Sequence, residues 1–213
     1  MKRIGITQRV EVVAAYGERR DCLDQAWARL FSLFELDLVP VPNTLDDVAG
    51  WARRQALDGL VLSGGNDLAN LPGATKTAPE RDVCERELLS WAASVQLPLL
   101  GVCRGMQMIN FYFGGTLFKV VGHVATHHRV NTLNDDKLFN NYSIVNSYHD
   151  WGIDFAGLAA GLQATVLAED KTIEAFRHDS LPWFGVMWHP ERDNSPSNEQ
   201  DLVLLDELFN SSV

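Results

Sequence analysis

The chain has 213 residues, of which 46% are hydrophobic and 22% charged, and its formal net charge is −10. This length and composition suit one globular α/β domain, which we expect to span residues 1–213. The negative charge argues against nucleic acid as a partner, because phosphate contacts need clustered Lys and Arg. No apolar run approaches the roughly 20 residues that cross a bilayer, so we expect no membrane partner. The apolar part of the amino terminus is too short for a signal peptide.

The amino-terminal half alternates strand-like apolar runs with helical stretches. The predicted elements, in chain order, are strand 2–7, helix 21–33, strand 36–41, helix 45–56 with Asn43 or Thr44 as its cap, strand 59–62, helix 79–93, strand 97–102 and helix 106–113. Strands that alternate with helices in this way predict an α/β, doubly wound and mostly parallel sheet with helices on both faces.

The carboxyl-terminal half has shorter apolar runs separated by loops. We predict strands at 115–121, 143–146, 164–168, 172–176 and 183–187, a polar surface loop at 131–141, and a closing helix at 198–209. Hairpins added to the last strands of the sheet would account for this half.

The segment Gly101-Val102-Cys103-Arg104-Gly105-Met106-Gln107 lies between a predicted strand and a predicted helix. Glycines two residues either side of a cysteine are typical of a nucleophile elbow, because side chains there would crowd the sharp turn. The positive end of the helix dipole favours a thiolate at this point. The alternative is a buried cysteine in a core strand, the usual place for a free cysteine. Cys22 and Cys84 are expected to be packing residues, and three cysteines without metal-ligand spacing favour a reducing cytoplasm.

A cysteine nucleophile needs a base, and the base needs an orienting group. Trp188-His189-Pro190-Glu191 follows a predicted strand and supplies both, with His189 as the proton carrier and Glu191 as its orienter. Acyl transfer also needs donors for the oxyanion. The backbone N–H of Arg104 is one candidate, and the Gly64-Gly65 loop should supply another, although these glycines could also simply form a turn.

Four motifs occur in the order seen in class I glutamine amidotransferases: Ser63-Gly64-Gly65-Asn66-Asp67, Gly101-Val102-Cys103-Arg104-Gly105-Met106-Gln107, Val145-Asn146-Ser147-Tyr148-His149 and Trp188-His189-Pro190-Glu191. The chain resembles that superfamily over nearly its whole length. Within it, the chain is most similar to stand-alone γ-glutamyl hydrolases, including the γ-glutamyl-γ-aminobutyrate hydrolase group. The resemblance implies a flavodoxin-like fold and a hydrolase that needs no cofactor.

The resemblance also implies roles for individual residues. Cys103, His189 and Glu191 would form the triad, with a γ-glutamyl thioester on Cys103. Gly65 and Arg104 would line the oxyanion hole beside Gly64. The glutamyl α-amino and α-carboxylate groups would be held by three residues: Gln107 and the backbone of Asn146 and Ser147.

The leaving group is a separate question, addressed by the segment that follows the first strand. Arg9, Arg19 and Arg20 occur there, and guanidinium groups suit an anionic amine because they pair with phosphate or carboxylate. Alternatively, Arg19 and Arg20 are solvated charges that pair with Glu18 and Asp21. The segment also resembles the branch that hydrolyses γ-glutamyl-CDP-amidate, so a nucleotide phosphoramidate and γ-aminobutyrate are the amines we expect.

Two other functions compete with a stand-alone hydrolase. One is a glutaminase subunit that passes ammonia to a synthetase partner, and the other is an inactive binding module, which would normally lack the Cys or the His. As protein partners we therefore consider a second copy in a homodimer and a synthetase chain. His123, His127 and His128 lie close in sequence, but without a Cys or carboxylate at ligand spacing we expect no metal. His149 is expected to have a structural role.

Overall fold

A computed structural model of the chain describes residues 1–133, 136–192 and 198–210. The strands are β1 (Arg3–Thr7), β2 (Arg9–Val13), β3 (Glu18–Cys22), β4 (Asp37–Val41), β5 (Gly59–Leu62), β6 (Leu99–Val102), β7 (Phe118–Lys119), β8 (Val124–Thr132), β9 (Ile144–Tyr148), β10 (Trp151–Gly152), β11 (Leu162–Ala168), β12 (Ile173–His178) and β13 (Trp183–Val186). The helices are α1 (Gln25–Ser32), α2 (Val48–Arg54), α3 (Pro79–Val95), α4 (Arg104–Tyr112) and α5 (Asn198–Phe209).

A nine-stranded sheet forms the centre of the molecule, in the order β4-β1-β5-β6-β13-β12-β11-β8-β9. The first five of these strands run parallel, and the rest continue antiparallel. The predicted α/β class with a parallel core is therefore confirmed. Because parallel strands need crossover connections, helices cover the sheet where strands and helices alternate along the chain.

The sheet separates two hydrophobic clusters. One contains buried side chains of α2, α3 and α4, and the other contains those of α1 and α5. Successive residues of β5 point to opposite sides, with Leu60 and Leu62 in the first cluster and Val61 in the second. The helices accordingly lie on both faces of the sheet, as the sequence predicts.

The carboxyl ends of β1, β5, β6 and β13 meet at one edge of the sheet. In open α/β sheets this edge is where ligands bind. It brings together the segments that follow these strands: the hairpin after Thr7, the loop at Gly64, the elbow at Cys103 and the turn at His189.

The amino-terminal half departs from the predicted elements mainly at three points. Helix 21–33 begins only after Asp24, whose carboxylate caps Ala26, and the residues before it form β3. The segment that follows the first strand, for which no strand was predicted, forms the two-stranded hairpin β2–β3. Helix α2 is capped by Asp47 rather than by Asn43 or Thr44, because the Asn43 side chain is engaged with Asp21 and the Gln8 carbonyl.

The carboxyl-terminal half contains two strands that the sequence did not predict, β10 and β8. Strand β8 is the longer of the two. It includes the start of the predicted loop 131–141, of which residues 134–135 lie outside the described residues. The predicted strand 115–121 is reduced to β7, which pairs with β10 in a small separate sheet. Helix α5 has the predicted bounds. Within the described ranges, no helix has both the length and the apolar character that a membrane span requires.

Candidate active site

Cys103 joins β6 to α4 in a turn with a strained backbone. Its φ is 52° and its ψ is −106°, in a region that residues other than glycine rarely occupy. A Cβ on Gly101 would lie 2.5 Å from Ile109 Cδ1. A Cβ on Gly105 would lie 2.0 Å from the Leu62 carbonyl oxygen. The predicted need for glycine on both sides of Cys103 is therefore confirmed, and close packing holds the cysteine in this conformation.

His189 and Glu191 are placed beside this cysteine by the turn that follows β13. The Nδ1–H of His189 donates to Glu191 Oε1 at 2.7 Å, and both side chains are buried. The other ring nitrogen, Nε2, has no hydrogen-bond partner among the described residues. The Cys103 thiolate is nevertheless close enough for its charge to raise the pKa of His189. Catalytic hydrogen bonds are often long before substrate binds. The structure thus brings the three predicted triad residues together, with the imidazole oriented by the carboxylate.

Electrostatics favour an ion pair between Cys103 and His189. Burial by itself would raise the pKa of Cys103, but the positive charge of His189 outweighs it, and the pKa is lowered. Burial also disfavours the charged form of His189, yet Glu191 and Cys103 raise its pKa to about 10. Both shifts favour a thiolate beside an imidazolium. Because the thiolate is the nucleophile, His189 is ready to act as an acid toward the departing amine.

We expect Glu191→Gln to shift the alkaline limb of the pH profile of kcat/KM to lower pH. The imidazolium is lost as pH rises through the raised pKa of His189, and Glu191 is the main group that raises this pKa. Removing an adjacent opposite charge typically moves a pKa by about 1 to 3 units. The profile of glutamate release from pH 5 to 11 measures the shift, and both limbs belong to the coupled Cys103–His189 pair.

The control for this variant is Glu169→Gln, since Glu169 is an exposed carboxylate in the turn between β11 and β12. Its profile should match that of the wild type. An alkaline limb that stays in place in Glu191→Gln would contradict the assignment of Glu191 as the residue that holds the His189 charge.

The Asn146 side chain holds the backbone of His189. Its amide nitrogen donates to the His189 carbonyl at 2.9 Å, and its oxygen accepts from the His189 N–H at 2.9 Å. Ser147 donates to the His123 carbonyl, and the buried Gln107 amide donates to the Trp151 carbonyl. The side chains of all three residues are thus engaged within the protein, and that of Asn146 positions the backbone of His189. Binding of the glutamyl group by the backbone of Asn146 and Ser147 stays a prediction.

The Gly64-Gly65 loop lies directly against the triad. A Cβ on Gly64 would lie 2.7 Å from His189 Cε1 and 3.6 Å from Cys103 Cβ, so only glycine leaves room there. Gly65 has a φ of +84°. The loop therefore approaches the nucleophile with its backbone exposed toward the space where a substrate carbonyl would lie.

Arg81, on α3, fixes the orientation of this loop. Its guanidinium is completely buried and donates to three successive carbonyl groups, those of Ser63, Gly64 and Gly65. The C=O and N–H of a trans peptide point in opposite directions. Because the Gly64 carbonyl points to Arg81, the Gly65 N–H of the same peptide points away from it. This orientation suits an oxyanion donor.

Glu85 links Arg81 to the elbow helix. Its Oε1 accepts from Arg81 Nε at 2.8 Å and from the Thr7 hydroxyl at 2.7 Å, and its Oε2 pairs with the Arg104 side chain. Burial by itself would raise the pKa of Glu85, but Arg104 and Arg81 outweigh it and the pKa is lowered. Burial lowers the pKa of Arg81 to about 10, against the attraction of Glu85. This buried ionic network joins the glycine loop to the helix whose first N–H belongs to Arg104.

A pocket of about 120 Å³ opens above Cys103. Its lining consists of Arg9, Cys22, Leu23, Asp24, Trp27, Ser63, Gly64, Gly65, Cys103, Tyr148, His189, Glu191 and Arg192. Typical ligand clefts have roughly 300–1,000 Å³, so the pocket suits one small group, and a larger substrate would extend over its rim. A larger cavity of about 670 Å³ elsewhere has none of the predicted site residues in its lining.

Of the three arginines predicted to face the leaving group, only Arg9 lines the pocket. Arg19 pairs with Glu80, while Arg20 pairs with Glu18 at 2.5 Å and donates to the Tyr16 hydroxyl. The Arg19 guanidinium is thus paired with a residue of α3, and that of Arg20 with residues of the hairpin. The pairing of Arg20 with Glu18 follows the alternative interpretation of this segment.

Arg192 is a pocket residue that sequence reasoning missed. Its guanidinium lies 3.7 Å from the centre of the Tyr148 ring, which in turn packs edge-on against His189 at 5.7 Å. The only sequence signal was its position directly after Glu191. Arg81 and Glu85 were missed as well, although their positions carried a signal: with Ala78, Leu88 and Ala92 they recur every three or four residues on the buried face of α3.

Comparison with known proteins gives one family and several relatives. The Peptidase C26 family model matches residues 4–191. A γ-glutamyl-CDP-amidate hydrolase from Campylobacter jejuni is 34% identical over 202 residues, which cover 93% of this chain and 94% of that protein. The carbamoyl phosphate synthase small chain of Oceanobacillus iheyensis is 31% identical over 72% of this chain but only 38% of its own. A crystal structure of a glutamine amidotransferase from Thermotoga maritima shares the fold, with a TM-score of 0.67, 18% identity and coverage of 89% and 76%.

Proposed function

Because this chain belongs to the Peptidase C26 family, we propose that it is a cysteine hydrolase that cleaves a γ-glutamyl amide into glutamate and an amine. The observation that carries the proposal is the buried Cys103–His189–Glu191 arrangement beside the glycine loop. The similarity to a γ-glutamyl-CDP-amidate hydrolase over 93% of the chain supports the γ-glutamyl half of the substrate. Three free cysteines support a cytoplasmic setting.

The proposed reaction has two steps. The Cys103 thiolate attacks the γ-carbonyl carbon, and the negative charge that develops on the oxygen is held by the backbone N–H groups of Gly65 and Arg104. The His189 imidazolium gives its proton to the amine nitrogen as the C–N bond breaks, which leaves a γ-glutamyl thioester. Neutral His189 then takes a proton from water, and the resulting hydroxide attacks the thioester to release glutamate and the thiolate.

The pocket dimensions and charges support a placement for each half of the substrate. The small pocket suits the glutamyl group, so the amine would lie over the rim formed by Arg9 and Arg192. The chain as a whole carries a charge of −10, which repels anions. Two arginines beside the nucleophile therefore favour an anionic amine, because guanidinium groups form charge-assisted hydrogen bonds with phosphate and carboxylate. A nucleotide phosphoramidate or γ-aminobutyrate meets this description.

The second candidate is a glutaminase subunit that supplies ammonia to a synthetase partner. The similarity to carbamoyl phosphate synthase small chains over 72% of this chain favours it. The arginines on the rim favour the hydrolase, since release of ammonia needs no cation at that place.

A substrate comparison tests both candidates, with glutamate release as the readout. The substrates are glutamine, γ-glutamyl-p-nitroanilide, γ-glutamyl-γ-aminobutyrate and γ-glutamyl-CDP-amidate. We expect the anionic amides to have the higher kcat/KM. We also expect Arg9→Ala and Arg192→Ala each to lower kcat/KM for the anionic amides by about tenfold or more, because each removes a charge-assisted hydrogen bond. The kcat/KM for the anilide should change little.

Arg20→Ala is the matched control, because both arginines belong to the same hairpin and pair with a glutamate of it, Arg9 with Glu11 and Arg20 with Glu18, but Arg20 does not line the pocket. It should leave the preference for anionic amides intact. Preferred turnover of glutamine would contradict the hydrolase and favour the glutaminase subunit. Equal loss in Arg20→Ala and Arg9→Ala would contradict the placement of the amine over the rim.

A further inference from the structure

Three histidines and one glutamate converge behind the active site. His123 precedes β8, His128 lies on it, His149 follows β9, and Glu174 lies on β12. One potential ligand atom from each lies within 4.8 Å of the other three. His123, His149 and Glu174 are buried, and His128 is half-buried. The set is not apparent from sequence spacing, because its carboxylate lies 25 residues after the nearest of these histidines, His149.

We propose that His123, His128, His149 and Glu174 form a structural zinc site. Tetrahedral zinc with bonds of 2.0–2.1 Å to nitrogen and oxygen requires ligand atoms about 3.4 Å apart. His123 Nδ1 and His149 Nε2 are 3.3 Å apart. Glu174 Oε1 lies 3.6 Å from that His149 nitrogen and 3.9 Å from that His123 nitrogen. Three of the four atoms therefore already form one face of a zinc tetrahedron.

The outer hydrogen bonds of two histidines leave the ligand nitrogens facing the centre of the cluster. His123 Nε2 contacts the Asp170 carboxylate at 2.8 Å, and His149 Nδ1 contacts the Trp151 carbonyl at 3.0 Å. Metal-bound histidines characteristically donate their second N–H to a carboxylate or a carbonyl. This arrangement directs His123 Nδ1 and His149 Nε2 at the metal position, where each would bind zinc in its unprotonated form.

Two buried atoms of the cluster have no hydrogen-bond partner in the described chain: His128 Nε2 and Glu174 Oε2. Glu174 is completely buried, and a buried carboxylate oxygen without a partner is costly. A zinc ion bound by Glu174 Oε1 would supply the partner for His128 Nε2 and would neutralise the charge of the carboxylate to which Glu174 Oε2 belongs. The half-buried His128 would complete the tetrahedron as the fourth ligand.

Four protein ligands leave no open coordination position, so the ion would serve structure rather than hydrolysis. It would tie β8 and the turn after β9 to β12. Strand β9 carries Asn146, which holds the His189 backbone. The zinc site would thus stabilise the strand that positions the imidazole of the triad, independently of which amide the enzyme cleaves.

The test measures zinc in the full chain, purified without a polyhistidine tag. We expect one zinc per chain by mass spectrometry of the metal, and an increase in Tm when zinc is added to chelator-treated protein. His128→Gln and Glu174→Gln should weaken zinc affinity by at least about tenfold in competition with a chromophoric chelator. His128 is only half-buried, so its variant is expected to fold even if the Glu174 variant does not.

Two controls make the outcome specific. His127→Gln changes the exposed neighbour of His128 on the same strand and should keep the zinc. Cys103→Ala should also keep the zinc. Loss of zinc in this variant would show that the ion binds to the nucleophile, and would overturn the proposal. Wild-type protein that binds no zinc would overturn it too, as would unchanged affinity in a folded His128→Gln variant.

Discussion

Cys103→Ala is expected to abolish hydrolysis of every γ-glutamyl amide while the protein remains folded. Removal of the nucleophile from a triad that acts as a unit lowers turnover by at least about 10⁴-fold. The fold should persist because alanine fits a site where the sulfur is the only group removed. Circular dichroism and Tm measure the fold, and glutamate release measures turnover. In the wild type, a rapid acid quench followed by intact mass analysis should find a γ-glutamyl group bound to Cys103.

Cys84→Ala is the matched control, since Cys84 is the other buried thiol. Burial raises the pKa of Cys84 to about 12, with further contributions from Glu85 and Glu87, whereas His189 lowers the pKa of Cys103. Iodoacetamide at neutral pH should therefore alkylate Cys103 and leave Cys84 unmodified. Full activity in Cys103→Ala, or a glutamyl adduct on a different residue, would refute the mechanism.

The sequence was most informative where function depends on residues close in number. The elbow is contained in seven consecutive residues, 101–107, and the histidine and its carboxylate in four, 188–191. Their chemistry is local because a sharp turn and a neighbouring carboxylate are properties of short segments. The strands that precede them are short apolar runs, which identify β5, β6 and β13 and so the edge of the sheet where the motifs meet.

The sequence was least informative where a strand lies outside the apolar core. Four of the five residues of β3 are exposed, so it lacks the alternation of apolar and polar residues that predicts a strand. The wrong placement of Arg19 is a consequence of missing this strand. Because β2 and β3 pair, Arg19 reaches Glu80 on α3 rather than the pocket. Strand β8 was missed for the same reason, since only Val130 of its nine residues is buried.

Buried charges were the other class of residue that the sequence did not reveal. Arg81 and Glu85 are four residues apart on a helix, a spacing that usually indicates an exposed ion pair. Here both side chains are completely buried, because the glycine loop supplies three carbonyl groups that need a donor. Only the fold shows that these carbonyls lie opposite Arg81.

Arg81→Lys should separate the orientation of the glycine loop from the formation of the thiolate. Lysine keeps the positive charge near Glu85 but lacks the planar fork that reaches three carbonyls. Complete loss of an oxyanion donor costs roughly a hundred- to a thousandfold in kcat, and a misoriented donor should cost about ten- to a hundredfold. We expect kcat to fall by this amount with a smaller change in KM. The rate at which iodoacetamide alkylates Cys103 should not change, because Arg81 is not among the main groups that lower its pKa.

Arg81→Met should have a larger effect, on stability as well as on kcat. Removal of one partner from a buried ion pair costs roughly 3–5 kcal/mol, and urea unfolding measures this loss. Arg86→Met is the control, since Arg86 lies on the same helix but is exposed, and it should resemble the wild type in both measurements. If Arg81→Lys slowed alkylation of Cys103 as much as it lowered kcat, Arg81 would be needed for the structure of the whole active site, which would contradict a specific role in orienting the glycine loop. An unchanged alkylation rate with a reduced kcat would instead locate its effect in the loop that binds the oxyanion.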